Sequence, residues 1–326
     1  MKRHWSLRIL WFAALIAGPF TLPPATEAQT LKLAVITESS THWPVYVAQA
    51  KGMFEKEGLT VQMTITGSSK KQIEAMNKGE FDIGHSAAAN VISAVEQGSD
   101  FIIVMALNLP AYSIVTAPTI VSFEDLKGKV LAVDSARTGY ALLLKKILAQ
   151  KGLKEGDYTL KEVGGTTQRI EAVKSGAAVA ALINQPSDLE LFAQGYKSLG
   201  NTSDYFPHFQ GSVAATKRSW AAGNADILMR YVRAYVAASD WLLDRKNREE
   251  AIEILLRSVK RIDRAQASAT YESGLSRVFI RKAAVNTDGL RQVIEMFWEA
   301  EGLRPPLPSP EKYVDLSYYA KAVGQR

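Results

Sequence analysis

The sequence predicts an α/β protein built from mostly parallel sheets flanked by helices, and three observations carry that expectation. Short β-type runs alternate with segments of helical periodicity over the first two thirds of the chain. The loops between them are rich in Gly, Ser and Thr, which make turns and start helices. The 326 residues exceed what one hydrophobic core usually serves, so two domains are expected.

Taken in order, residues 31–36 (Leu-Lys-Leu-Ala-Val-Ile) read as a strand, followed by a polar turn and a helix over 44–51. Residues 60–66 alternate like a strand, Ser68 can cap a helix over 70–78, and 81–84 form a short strand. A helix over 88–97 and the apolar run 101–107, of buried-strand length, complete the first unit. The second unit repeats the style with strands at 112–117, 129–133, 158–163 and 178–183 and a helical turn at 123–126. Its helices are expected at 138–151, 166–175 and 186–194. The first of these carries Leu142, Leu143, Ile147 and Leu148 on one face and is closed by Gly152. After a strand at 211–216 the pattern turns helical, at 226–244, 248–258, 264–273 and 288–301. Pro305-Pro306-Leu307-Pro308 then breaks the chain before a last helix over 311–321.

The N-terminus carries Lys2, Arg3 and Arg8, then an apolar run over 9–17, then Gly18-Pro19 and the small residues Thr26 and Ala28. This layout predicts a cleavable export signal over 1–28, with cleavage after Ala28 and after Ala25 as the alternative. The apolar run is shorter than the ~20 residues a bilayer span needs. Removing the signal's three cations and one anion lowers the formal charge from +6 to +4. Lys and Arg are interspersed with Asp and Glu, which suits solubility better than nucleic-acid binding. There is no cysteine, hence no disulfide, no thiolate metal site and no lipid-bearing cysteine to anchor the mature chain. The three histidines of the mature chain, His42, His85 and His208, lack ligand spacing, so no metal or cofactor is expected. Neither a dinucleotide fingerprint, nor a P-loop, nor a G-x-S-x-G elbow is present.

Four stretches carry a family resemblance. Residues 44–59 read Pro-Val-Tyr-Val-Ala-Gln-Ala-Lys-Gly-Met-Phe-Glu-Lys-Glu-Gly-Leu, an A-x-x-x-G-x-F-x-x-x-G-L pattern. Gly79-Glu80-Phe81-Asp82-Ile83-Gly84 gives G-x-x-D-x-G, and residues 123–130 contain D-L-K-G-K-x. Glu171-Ala172-Val173-Lys174-Ser175-Gly176 gives the start of A-x-x-x-G-x-x-D-A, although Ala177-Ala178-Val179-Ala180-Ala181 lacks the acidic residue. In this order the four resemble the nitrate/sulfonate/taurine/thiamine-precursor family of solute-binding proteins that serve ABC importers in the periplasm.

The resemblance implies a two-lobed, type II-like clamshell with two crossover segments, near 107–112 and 209–214. Lobe 1 would comprise 29–109 with 213–326, and lobe 2 would comprise 110–212. It implies a soluble monomeric periplasmic receptor rather than an enzyme, whose partners are a small-molecule ligand and an inner-membrane permease with its ATPase. A lyase- or dehydratase-like enzyme using His85 or Asp134, and a sensor input module, are the alternatives on the same fold.

In open α/β sheets ligands lie beyond the carboxyl ends of the strands, where exposed N–H groups of helix starts attract anions. Those positions hold Ser39, His42 and Trp43; Ser68; His85 and Ser86; Ser135, Arg137, Thr138 and Tyr140; Thr166; and Asn184. Asn108 and Tyr112 join them at the first crossover. Arg137 is the expected bidentate grip on an anion, with Trp43, Tyr112 and Tyr140 flanking an apolar or aromatic body. The expected ligand is a small organic anion, an aliphatic sulfonate or an aromatic carboxylate.

Overall fold

The computed structural model describes residues 28–274 and 278–324 besides Met1, so the expected export signal falls almost wholly outside the described residues. The strands in chain order are β1 (Gln29–Val35), β2 (Leu59–Ile65), β3 (Ile83–Ala87), β4 (Phe101–Asn108), β5 (Tyr112–Thr116), β6 (Val130–Val133), β7 (Thr159–Glu162), β8 (Ala180–Asn184), β9 (Lys197–Asn201) and β10 (Ser212–Lys217). They form two five-stranded sheets, ordered β2-β1-β3-β10-β4 and β7-β6-β8-β5-β9. The fold class is the α/β two-lobed arrangement that the sequence predicts.

Each sheet is parallel except for one interior strand. β10 runs antiparallel to β3 and β4, and β5 runs antiparallel to β8 and β9. The connections explain why. The chain leaves the first sheet at the carboxyl end of β4 and enters the second after only three residues, from the side the cleft occupies. β5 must therefore run away from the cleft, opposite to β6, β7 and β8, whose carboxyl ends point toward it. β10 enters the first sheet from the same side on the return, with the same result.

Leu31, Leu33 and Val35 of β1 are fully buried against Trp43 and Tyr46 of the helix Trp43–Ala50 and Tyr231 and Tyr235 of the helix Ala225–Leu243. Each such side chain stabilises the fold by roughly 1.5–3 kcal/mol relative to exposure. On the other face a continuous cluster runs from Val91 through Leu143 and Ile147 to Val293 and Phe297. The helix Thr287–Ala300 packs on Ala88–Glu96, ahead of the first crossover, and on Gly139–Gln150, between the two crossovers, so apolar contact between the two halves extends past the connecting segments.

Local expectations need correction in two places. The predicted helix over 311–321 is a 3₁₀ turn, Pro310–Lys312, and a separate helix, Ser317–Ala322. Between them the backbone pairs with β4: Ile103 N–H donates to Tyr313 O at 2.8 Å and Asp315 N–H donates to Ile103 O at 3.0 Å. Strand β9 has no counterpart in the sequence pattern because Lys197-Ser198-Leu199-Gly200-Asn201 offers one apolar residue and sits at a sheet edge. The short helix Thr202–Tyr205 behind it is fixed by a capping box between Asn201 and Asp204.

Asp188, 1% exposed, is buried behind β5, where its carboxylate accepts from Ser113 Oγ at 2.6 Å and from Leu189 N–H at 2.8 Å. Burial pushes its pKa up to about 6. An acid whose folded pKa lies above its unfolded value makes the fold less stable as pH rises from about 4 to about 6, with the full penalty above that window. Asp188→Asn is therefore expected to raise stability at pH 7.5 by on the order of 1–2 kcal/mol and to change nothing below pH ~4. Denaturant titrations of both proteins at the two pH values check this.

Candidate functional site in the interlobe cleft

The carboxyl ends of β1 and β3 face those of β6 and β8, and a line of hydrogen bonds crosses between them. Asn184 Nδ2 donates to Ser39 Oγ at 2.6 Å, and the hydroxyls of Ser39 and Ser40 donate to Gln185 O at 3.1 and 2.8 Å. Thr166 Oγ1 donates to Asn184 Oδ1 at 2.9 Å and accepts from Arg169 Nη2 at 3.2 Å. Arg169 also donates from Nε to Leu182 O at 3.1 Å and from Nη1 to Gly164 O at 3.2 Å. Its guanidinium lies 4.8 Å from the centre of the Tyr140 ring, which in turn sits 4.6 Å from the Tyr112 ring. Thr166 and Arg169 meet because positions three apart share one helix face.

Two further contacts bind the lobes. The Asp134 carboxylate accepts from Ser69 N–H at 3.3 Å and from the Ser69 hydroxyl, and Asn90 Oδ1 accepts from Gly139 N–H at 2.8 Å. Beside them Gly165 approaches Gly67 so closely that a Cβ on Gly165 would stand 2.3 Å from Gly67 O.

On the lobe 1 side, the His42 and His85 rings lie 5.7 Å apart and both are buried. His85 Nε2 is 2.7 Å from Tyr231 OH, whereas Nδ1 of each histidine is buried without a partner among the described residues. Burial lowers His42 to about 4 and pushes His85 well below its ordinary value, helped by the neighbouring His42. Both are therefore neutral at neutral pH.

Of the residues expected at the site, Ser39, Thr166 and Asn184 share the interlobe line of hydrogen bonds and Tyr112 and Tyr140 stand beside Arg169, while His42 and His85 are buried on the lobe 1 side, His85 against Tyr231 and Tyr235. Ser86 lies nearby and accepts from Asn90 Nδ2 at 3.4 Å. Ser68 and Thr138 cap the helices Ser69–Asn77 and Gly139–Gln150, and the Ser135 carbonyl accepts from Thr138 Oγ1 at 2.9 Å. Three placements correct the expectation. Trp43 is buried in the lobe 1 core, with Nε1 donating to Ala251 O at 3.0 Å. Asn108 accepts from Ser212 N–H at 3.3 Å and ties the two crossovers together. The Arg137 side chain is 74% exposed and lies 3.6 Å from Glu301, because its loop turns outward toward the end of the helix Thr287–Ala300.

Sequence reasoning missed Arg169 and Asn90. Arg169 did leave a signal, being three residues after Thr166 and three before Ala172, on the inner face of its helix. From Thr166 a groove of about 280 Å³ opens outward between the lobes, lined in part by Ile65, Ile170, Val259, Arg261 and Ile262. No helix among the described residues is long and apolar enough to cross a membrane.

Comparison with known proteins agrees with this architecture. Residues 39–249 match the family described as NMT1/THI5 like. A binding protein of Brucella abortus is 24% identical over 286 residues, covering 84% of this chain and 87% of its own. The riboflavin-binding protein RibY of Chloroflexus aurantiacus is 26% identical over 255 residues, 73% of this chain and 70% of its own. Among solved structures, the periplasmic aliphatic sulphonate binding protein SsuA from Escherichia coli superposes with a TM-score of 0.69 at 21% identity, over 88% of this chain and 92% of that one. The periplasmic nitrate-binding protein NrtA from Synechocystis PCC 6803 gives 0.76 at 17% identity, over 91% and 89%.

Proposed function

The chain belongs to the NMT1/THI5-like family, and from that membership and the cleft we propose that it is a periplasmic solute-binding receptor that delivers a small organic anion to an ABC importer. The observation that carries this reading is the hydrogen-bonded line Arg169–Thr166–Asn184–Ser39, which spans both lobes where open α/β sheets place their ligands. A solute held between Ser39, His42 and His85 on one lobe and Tyr140, Thr166 and Asn184 on the other favours the closed arrangement by its differential contacts. The permease and its ATPase would then read closure as the sign of a loaded receptor. Aliphatic sulfonates and aromatic carboxylates are the solute classes that suit a cleft with one buried cation and tyrosine walls.

The test is a thermal-shift screen of the chain from residue 29 onward against sulfonates, nitrate, aromatic carboxylates, pyrimidines, flavins and polyamines. A ligand at about a thousand times its Kd adds roughly 4 kcal/mol to the folded state and moves the midpoint by several degrees. A sulfonate or carboxylate hit that is recovered unchanged supports the receptor. Conversion of a bound compound into product would place the protein with the enzymes instead.

A further inference from the structure

Resting on the receptor reading, we propose that Arg169 is the anion anchor of the cleft and that the body of the solute lies along the groove between Ile65, Ile170, Val259 and Ile262. The expected solute is a mono-anion with an apolar aryl or alkyl body. Among the described residues Arg169 is the only buried Lys or Arg, at 2% exposure, and it makes no ion pair. A buried ion without a direct counter-ion costs several kcal/mol. The helix Thr166–Lys174 adds to that cost, because Arg169 stands in its first turns, at the positive end of the helix dipole. Packing alone would be served better there by an apolar or neutral side chain.

The local partners hold the guanidinium without neutralising it. Three of its five N–H groups donate to Leu182 O, Gly164 O and Thr166 Oγ1, which leaves two for another acceptor. The Tyr140 ring supports one face of the cation. Asp134, the other buried charge of the cleft, attracts the guanidinium without forming an ion pair with it and accepts from Ser69 N–H and Oγ. His42 and His85 are neutral, so Arg169 is the single buried positive charge on offer among the described residues.

The groove fixes the rest of the solute. It begins at Thr166, which touches Arg169, and is walled by four aliphatic side chains, one of which, Ile65, is 51% exposed. Of the charged groups beside it, Lys174 pairs with Glu190 at 3.2 Å and Glu38 accepts from Lys260 N–H at 2.9 Å, while Arg261 is exposed at the lining. The four aliphatic walls match an apolar body.

Calorimetry with two matched pairs, 4-phenylbutyrate against 4-phenylbutanamide and hexanesulfonate against hexanesulfonamide, separates an anchor from a structural pin. Wild-type protein is expected to prefer each anion to its neutral partner by about tenfold or more. Arg169→Gln should abolish that preference while leaving the affinity for the neutral partner within about threefold, and Arg137→Ala should leave both affinities unchanged. Arg169→Lys, which keeps the charge but loses the planar fork, gives the same reading at a smaller amplitude and serves if the glutamine variant does not fold. Equal weakening of both members of a pair would show a purely structural role and overturn the assignment. A wild-type protein that binds a neutral or cationic solute and neither anion would overturn it too, with the receptor reading intact. Silence toward these probes and toward the whole screening panel would sink both.

Discussion

Replacing Gly165 by alanine is expected to leave the fold intact and to weaken solute capture by roughly ten- to a hundredfold. Gly165 has φ −66° and ψ −172°, which alanine adopts without strain, so the backbone does not require glycine there. The neighbour across the cleft does: the added Cβ would stand 2.3 Å from the carbonyl oxygen of Gly67, a backbone atom of the other lobe. Relief requires the lobes to part by about an ångström, roughly twice the slack in a hydrogen bond. Asn184–Ser39 and Ser69–Asp134 would be stretched first, since they bridge the same gap. The strain of overpacking, about 1–3 kcal/mol, falls on the closed arrangement only. A solute that binds by closure therefore loses that much affinity, while the melting temperature without solute stays put. Calorimetry with the best hit of the screen, together with small-angle scattering with and without it, checks both halves. An unchanged affinity would mean that capture does not need the two loops in contact.

The second large effect is expected at the crossovers. A Cβ on Gly211 would meet Asn108 O, Leu109 C and Pro110 N, each at 2.7 Å. These are backbone atoms of the opposing connection, and none can rotate away. Asn108 already clamps the pair through Ser212 N–H, and Leu109 N–H donates to Val278 O at 2.8 Å, so the segment has little freedom to retreat. Gly211→Ala is expected to cost about 2 kcal/mol and to lower the melting temperature by on the order of 5 °C. In contrast to the change at Gly165, the loss appears without solute, because the crossovers are packed in every state that keeps the two sheets formed. A melting temperature within a degree of wild type would show that the two connections separate easily.

The α/β class, most element boundaries and the loops that line the cleft were legible in the sequence. Each depends on residues near one another in the chain: alternation in β1, the apolar face of Gly139–Gln150, the capping hydroxyl of Ser68. Strand β9 was not, because an edge strand of polar residues carries no periodic burial. The cation of the cleft was misassigned for a related reason. Arg137 occupies a loop before a helix, where an anion site is reasonable by local rules, and only the packing of that loop against the end of Thr287–Ala300 turns it toward Glu301. Arg169 looks like an ordinary helical arginine until β8 supplies Leu182 O and the turn before its own helix supplies Gly164 O.

What the sequence determined by itself was thus most of the elements, their order and the family, since short-range periodicity and motif order are properties of neighbouring residues. The tertiary structure decided which side chains meet. Ser39 and Asn184 stand 145 positions apart and share a hydrogen bond of 2.6 Å, an arrangement that exists only once two sheets have folded and their strand ends have come face to face.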